Sequence, residues 1–346
     1  MKIIDKKPNL FEFATKELSQ DAFICWLLSW SKPNLCDAYK DLNDCAVSII
    51  NCFFEKQSMN MPELKTVEVI RQYCNIDVLC IINDTYAIII EDKTSTSNHS
   101  NQLNRYRDIV KNIKTESGEF KYEEKNIIGI YFKTHDQDDF SSVVKDKYHP
   151  FSRGELLDIL EGYDIKNDIF LDFKSNLKSL EDSIESYRVK PVNEWDNKSW
   201  IGFYKYLQNS LGDLVGEKCW NKVNNPRGGF YGFWWNWNQE DEYGASIYMQ
   251  IESVSSNTKL CFKVAYYDED KSIQSYLRNK WKLKFKNNFS HEIITPKGRA
   301  GKRMTVATLN KSYIKEFDNG LIDLDATLKY LKQLSLDLTN FVNDSK

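Results

Sequence analysis

Three residues in one short stretch have the types and spacing that phosphodiester hydrolysis needs. The segment "NIDVLCIINDTYAIIIEDK" places Asp77 in one apolar run, and Glu91 and Lys93 at the end of the next. Asn83-Asp84-Thr85 between the runs is a tight-turn signal, so the two runs are expected to pair as a hairpin. Residues two apart in a strand share a face, which brings Glu91 and Lys93 together and sends Asp92 to the other side. Two carboxylates make a hard oxygen site for Mg²⁺ or Mn²⁺. An ion held there polarises a phosphoryl group and lowers the pKa of a bound water. An ammonium beside it orients that water and stabilises charge developing on phosphate. Charge after "AIII" needs such a reason, because buried ions are costly unless paired or metal-bound.

The elements that must position these residues follow from periodicity. Residues 11–30 read as one amphipathic helix with Phe23, Trp26, Leu27 and Trp30 at helical spacing, and residues 36–57 as a second. "KTVEVIRQY" alternates as a half-buried strand, "CNIDVLCII" is a second strand, and "YAIIIEDK" is apolar enough to be buried on both faces. A helix over "SNQLNRYRDIVKNI" and a fourth strand, "NIIGIYF", complete the order helix, three strands, helix, strand. Residues 152–188 read as mostly helical, and "RVKPVNEWDNKSW" as a linker. Beyond it a helix at 197–210, strands at 230–237, 246–253 and 259–266, a helix near 270–281, a hairpin around "TPKGRAGK" and a closing helix from 322 to 343 are expected.

The segment resembles the PD-(D/E)xK nuclease superfamily: Asp77, then Glu91-Asp92-Lys93 fourteen residues later, inside that element order. "ATKELSQDAFICWLL" and "NQLNRY" resemble flanking segments of a bacterial subgroup of it, and Ile76 stands where the motif has its proline. The resemblance covers about residues 10–135. It implies an α/β fold: a restriction-endonuclease-like core, αβββαβ, whose central mixed sheet is flanked by helices; the helices and strands read beyond the linker make a C-terminal α+β domain. It assigns metal binding to Asp77 and Glu91, the catalytic lysine to Lys93, a third metal ligand to Glu17 and a polar site residue to Gln102, with Tyr106 one turn on and facing nucleic acid. The implied reaction is Mg²⁺- or Mn²⁺-dependent cleavage of DNA in preference to RNA, in DNA metabolism or anti-phage defence. The alternatives are an RNase, or a catalytically silent module that binds nucleic acid or protein. A protein activator or a homodimer is left open as partner.

Domain boundaries are expected at 1–190 for the core with its helical extension and 195–346 for the accessory domain. Net charge is −3 with a pI near 6.0, so any nucleic-acid footprint must be local. Residues 191–346 carry 22 Lys/Arg against 18 Asp/Glu, while residues 1–190 carry 25 against 32. Between Arg278 and Arg303 nine bases face one acid, Glu292. If extended, Lys280, Lys282, Lys284 and Lys286 share a face, and Lys297, Arg299, Lys302 and Arg303 follow in a glycine-containing loop; Lys282, Lys284 and those four are the candidate phosphate contacts. "FYGFWWNWN" is read with Tyr231, Phe233, Trp235 and Trp237 on one strand face and Trp234 on the other, Trp234 being the candidate for exposure. His99 is read as part of a solvated loop. Eight cysteines without a CxxC pair read as buried free thiols rather than a zinc site or a disulfide framework. No apolar run reaches the ~18 residues of a membrane span and no signal-like segment opens the sequence, so a cytoplasmic protein is expected.

Overall fold

The computed structural model describes residues 7–94, 101–225, 228–239 and 243–345; His99 lies outside them. In chain order the elements are α1 (Leu10–Phe13), α2 (Glu17–Ser29), α3 (Lys40–Lys56), β1 (Val67–Tyr73), β2 (Ile76–Ile82), β3 (Tyr86–Lys93), α4 (Gln102–Lys111), β4 (Ile127–Lys133), α5 (Ser141–Lys145), β5 (Tyr148–Ser152), α6 (Arg153–Glu161) and α7 (Asp168–Glu185). There follow α8 (Asn197–Ser210), β6 (Cys219–Val223), β7 (Phe230–Gln239), β8 (Ser246–Val254), β9 (Asn257–Ala265), α9 (Lys271–Asn288), β10 (Ile293–Ile294), β11 (Arg303–Leu309) and α10 (Leu324–Asp344). The chain divides into two compact units, residues 1–181 and 182–346, within α7 and ahead of the linker read from composition.

The first unit is built on a five-stranded sheet in the order β1-β2-β3-β4-β5. β1, β2 and β3 are antiparallel neighbours, while β3, β4 and β5 run parallel, so the sheet is mixed. Tight turns join the antiparallel strands: the two-residue loop Cys74-Asn75, and the three-residue loop Asn83-Asp84-Thr85, with positive φ at Cys74, Asn75, Asn83 and Asp84. The parallel step from β3 to β4 needs a crossover, which α4 supplies. Even-numbered residues of β3 and β4 (Ile88, Ile90, Ile128, Ile130, Phe132) pack with α2, α3, α6 and α7, and odd-numbered ones (Ala87, Ile89, Ile127, Tyr131) with α4. Apolar partners on both faces explain the unbroken "AIII" run.

Three differences from the sequence reading bear on this unit. The helix read over residues 11–30 is two helices, with extended backbone at Lys16 setting the start of α2. β5 was not anticipated; it is a short edge strand carrying Pro150, and proline hides edge strands from pattern reading. Of the cysteines only Cys45, Cys80 and Cys261 are buried; Cys36 and Cys74 are exposed, and all eight are free.

The second unit holds a six-stranded antiparallel sheet in the order β10-β11-β9-β8-β7-β6. Trp200, Phe203 and Leu207 of α8, Leu277, Trp281 and Phe285 of α9, and Leu331, Leu334 and Leu338 of α10 share one core with Phe233, Trp235, Met249, Ile251, Phe262 and Val264. The parity expected for β7 breaks at Asn236, whose φ of 58° accompanies a register shift against β8. Phe233 and Trp235 enter the core, whereas Trp237 turns to the other face and stacks on Tyr248 with ring centroids 4.0 Å apart. The lysine run is not extended. Lys280, Lys282, Lys284 and Lys286 lie on α9, where alternation scatters them around the helix, and Trp281 and Phe285 point inward. Lys284 bonds the Ser345 carbonyl and lies 4.9 Å from the Trp281 ring. Lys297, Arg299, Lys302 and Arg303 are exposed, with Lys302 paired to Glu269 and Arg303 bonded to Tyr267.

Candidate active site

The candidate residues gather at the carboxyl end of β3, the end of a parallel strand where α/β sheets commonly place ligands. The β2–β3 register pairs Val78 with Ile90, so Asp77 comes level with Glu91 across the hairpin. Asp77 is held from two sides: the Asp92 backbone N–H donates to its Oδ2 (2.9 Å) and the Gln72 amide to its Oδ1 (3.3 Å). Gln72 reaches there because it sits at positive φ, unpaired in the β1–β2 ladder, and it also donates to Asp21.

Glu91 and Asp92 are both 0% exposed, and Lys93 is 8%. Lys93 Nζ donates to Glu91 Oε1 at 2.5 Å, as the shared face requires. The Gln102 amide donates to the same oxygen at 2.8 Å and to the Tyr106 hydroxyl at 2.9 Å. The i, i+4 spacing on α4 therefore makes Tyr106 a support for Gln102; it is 2% exposed and cannot be the nucleic-acid contact expected of it. Glu91 Oε2 is buried with no hydrogen-bond partner among the described residues.

Asp92 points to the opposite face, as its parity requires. The Gln20 amide bonds its Oδ1, and its carboxyl faces that of Asp21, itself fully buried. Glu17 stands at the start of α2. Its Oε1 accepts from the Thr94 backbone N–H (3.0 Å) and hydroxyl (3.1 Å), so it ties α2 to the end of β3 and adds negative charge near Lys93 and Lys133. Among the described residues no group of three His, Cys, Asp or Glu side chains could hold an ion by itself.

The ionisation shifts share one cause. Burial, then repulsion from Asp77, pushes the Glu91 carboxyl up to about 8 against the opposing pull of Lys93. Burial works to lower the Lys93 ammonium, but its bond to Glu91 and the charges of Glu91, Asp77 and Glu17 outweigh it and the net shift is upward. Burial and the neighbouring carboxylates likewise raise Asp21 to about 6 and Asp92 well above the carboxylate range. Burial first, and neighbouring carboxylates second, disfavour the ionised acids here, so a proton or a nearby cation would relieve them. The unpartnered Glu91 Oε2, level with Asp77, offers an all-oxygen seat. Two carboxylates suit a hard divalent ion, which commonly takes one or two from protein and fills its remaining positions with water and phosphate oxygen.

Gln72, Gln20 and Lys133 were not singled out in the sequence. Lys133 ends β4 as Lys93 ends β3, and the two are register partners; it is 5% exposed, and burial, partly opposed by Glu17, lowers its ammonium to about 8. Its signal was present: one charge closing the apolar run "IIGIYFK" is the feature that marked "EDK".

The family model described as PD-(D/E)XK nuclease superfamily matches residues 8–221, well over half of the chain and extending through α8 into β6. Neither the curated proteins nor the solved structures gave a match.

Proposed function

We propose, for a chain that belongs to the PD-(D/E)XK nuclease superfamily, that it is a divalent-metal-dependent nuclease that hydrolyses phosphodiester bonds, with DNA as the first substrate to test and Mg²⁺ or Mn²⁺ as the ion. The observation that carries the reading is the pairing of a buried, unpartnered Glu91 oxygen with Asp77 across the hairpin, with Lys93 on the same face. Asp77 and Glu91 would hold the ion. Bound there, it would supply Lewis-acid polarisation of the phosphoryl group and offset the excess carboxylate charge.

The chain's own residues account for the rest. Gln102, fixed by Tyr106, and Lys93 together hold Glu91 Oε1, leaving Oε2 directed to the ion. The Asp92 N–H and Gln72 fix Asp77, so neither carboxylate has to reorganise on binding. Lys93 stands beside the carboxylates with its charge maintained, placed to orient an attacking water and to stabilise negative charge on the phosphate. Glu17 acts through position, anchoring the first turn of α2 to Thr94.

The test is cleavage of labelled single-stranded DNA, double-stranded DNA and RNA in Mg²⁺, Mn²⁺ or EDTA, comparing the native chain with Lys93→Ala and Glu91→Ala. Cutting that needs the metal and is lost in both variants is expected. Cutting that survives EDTA or either substitution would overturn the assignment. Preferential cutting of RNA would retain the site and change the substrate.

A further inference from the structure

We infer that Gln72 is a positioning residue whose left-handed backbone is kept for the site: it sets the affinity for the ion by holding Asp77, at a cost in the stability of the β1–β2 hairpin. The inference rests on the nuclease reading above and deepens it. Arg71 pairs with Val78 and Tyr73 with Ile76, so Gln72 stands opposite Asp77 with no ladder pair between them. Its φ is 56°. A residue with a long side chain is uncommon in that region and stays there only where its surroundings hold it. The hairpin turn does not account for this, because the two-residue loop takes its own positive φ at Cys74 and Asn75. Core packing does not account for it either, since Gln72 is exposed.

The conformation makes a bridge. Gln72 Nε2 carries two hydrogens, and it lies 3.3 Å from Asp77 Oδ1 and 3.3 Å from Asp21 Oδ2. Asp77 is level with Glu91, whereas Asp21 faces Asp92 on the other side of β3. An extended residue opposite Asp77 would turn its side chain to the face of Asp77 alone. The left-handed backbone instead brings one amide to carboxylates of both faces. Two acceptors also fix the amide the right way round, because a flipped amide would set its oxygen against both. Asp21 is fully buried on α2, so the amide that holds Asp77 is itself held by a packed helix. Without the amide, the Asp92 N–H is left to hold Asp77, and part of the ion's binding energy goes into orienting the carboxylate.

The experiment uses the full chain with Gln72→Ala and Gln72→Gly. Both remove the amide, and only glycine also frees the backbone. Thermal melting is followed in EDTA, Mn²⁺ affinity by calorimetry without nucleic acid, and cleavage of labelled DNA and RNA as a function of Mn²⁺ concentration. Gln72→Gly should melt above Gln72→Ala. Loss of one hydrogen bond predicts Mn²⁺ binding about three- to tenfold weaker in both variants alike. The Mn²⁺ concentration for half-maximal cleavage should rise by the same factor, while the rate at saturating Mn²⁺ stays near native. Mn²⁺ affinity within about twofold of native in both variants would remove Gln72 from the site and leave the nuclease reading intact. Affinity that recovers in Gln72→Gly but not in Gln72→Ala would make the residue structural and overturn the inference, as would glycine melting no higher than alanine. If the native chain neither binds Mn²⁺ nor cuts any substrate, the inference falls together with the nuclease reading.

Discussion

Replacing Glu91 by glutamine should make the metal-free protein more stable at neutral pH, although it removes a residue assigned to the active site. Burial and the charge of Asp77 push the Glu91 carboxyl up to about 8 in the folded chain, from the 4.5 of a free glutamate. Between those values the folded state keeps a proton that the unfolded state has released, so stability falls as pH rises through the window. At pH 7.5 the offset is three units, about 4 kcal/mol as an upper limit at about 1.4 kcal/mol per unit. Glutamine carries no such cost, but its one amide oxygen must serve both Gln102 and the Lys93 ammonium, a loss of about 2 kcal/mol. The net expectation is a gain of about 2 kcal/mol at pH 7.5. For a unit of this size that raises the melting temperature by about 4–8 °C.

The assay is thermal unfolding of both proteins in EDTA from pH 5 to 8, read as the difference between them. Asp21 and Asp92 titrate in both proteins, and the difference removes their shared contribution. Glu91→Gln should match or trail the native chain at pH 5 and overtake it by pH 8. Mg²⁺ should then stabilise the native chain and have little effect on the variant, since only a ligand of the folded state raises stability. A difference that stays flat with pH, or a variant that is less stable throughout, would refute the argument that unbalanced carboxylate charge is what the site offers a cation.

Two further substitutions probe the scaffold. Arg153→Leu should cost about 3–5 kcal/mol in urea unfolding, because the buried guanidinium bonds Asp136, Glu181 and the Thr134 carbonyl and all three bonds go with it; an effect under 1 kcal/mol would show those acids are satisfied otherwise. Gly202→Ala should cost about 3 kcal/mol in the same assay, since its Cβ would stand 2.0 Å from the Ile184 backbone carbonyl, which no side-chain rotation relieves; a native-like transition would mean α8 shifts at little cost.

The first unit was legible because its signals are local. A tight turn at Asn83-Asp84-Thr85 fixes the hairpin, and the hairpin fixes which residues stand opposite Asp77. What escaped the reading depends on exceptions to period or on distant partners. "KWKLKFK" alternates like a strand, yet Trp281 and Phe285 at i, i+4 are the helical signal that prevails once both find the core. One residue at positive φ, Asn236, reverses the parity of everything after it in β7. Family resemblance marked Glu17 as a candidate ligand, but the bond it makes runs to Thr94, 77 residues away, and no local pattern reports such a bond.

Charge at the end of β3 also explains why the site is tied to both layers of the first unit. Consecutive residues of a strand face opposite ways, so Glu91 and Asp92 carry buried acid to both faces at once. Glu91 is bonded from α4 by Gln102, and Asp92 from α2 by Gln20. The link between the faces is the Asp92 backbone, whose N–H holds Asp77 on the Glu91 side. Displacing α2 would therefore loosen Asp77 without touching it. A strand ending in one acid would engage one face alone; the second binds the Glu91 side to the packing of a helix on the far side of the sheet.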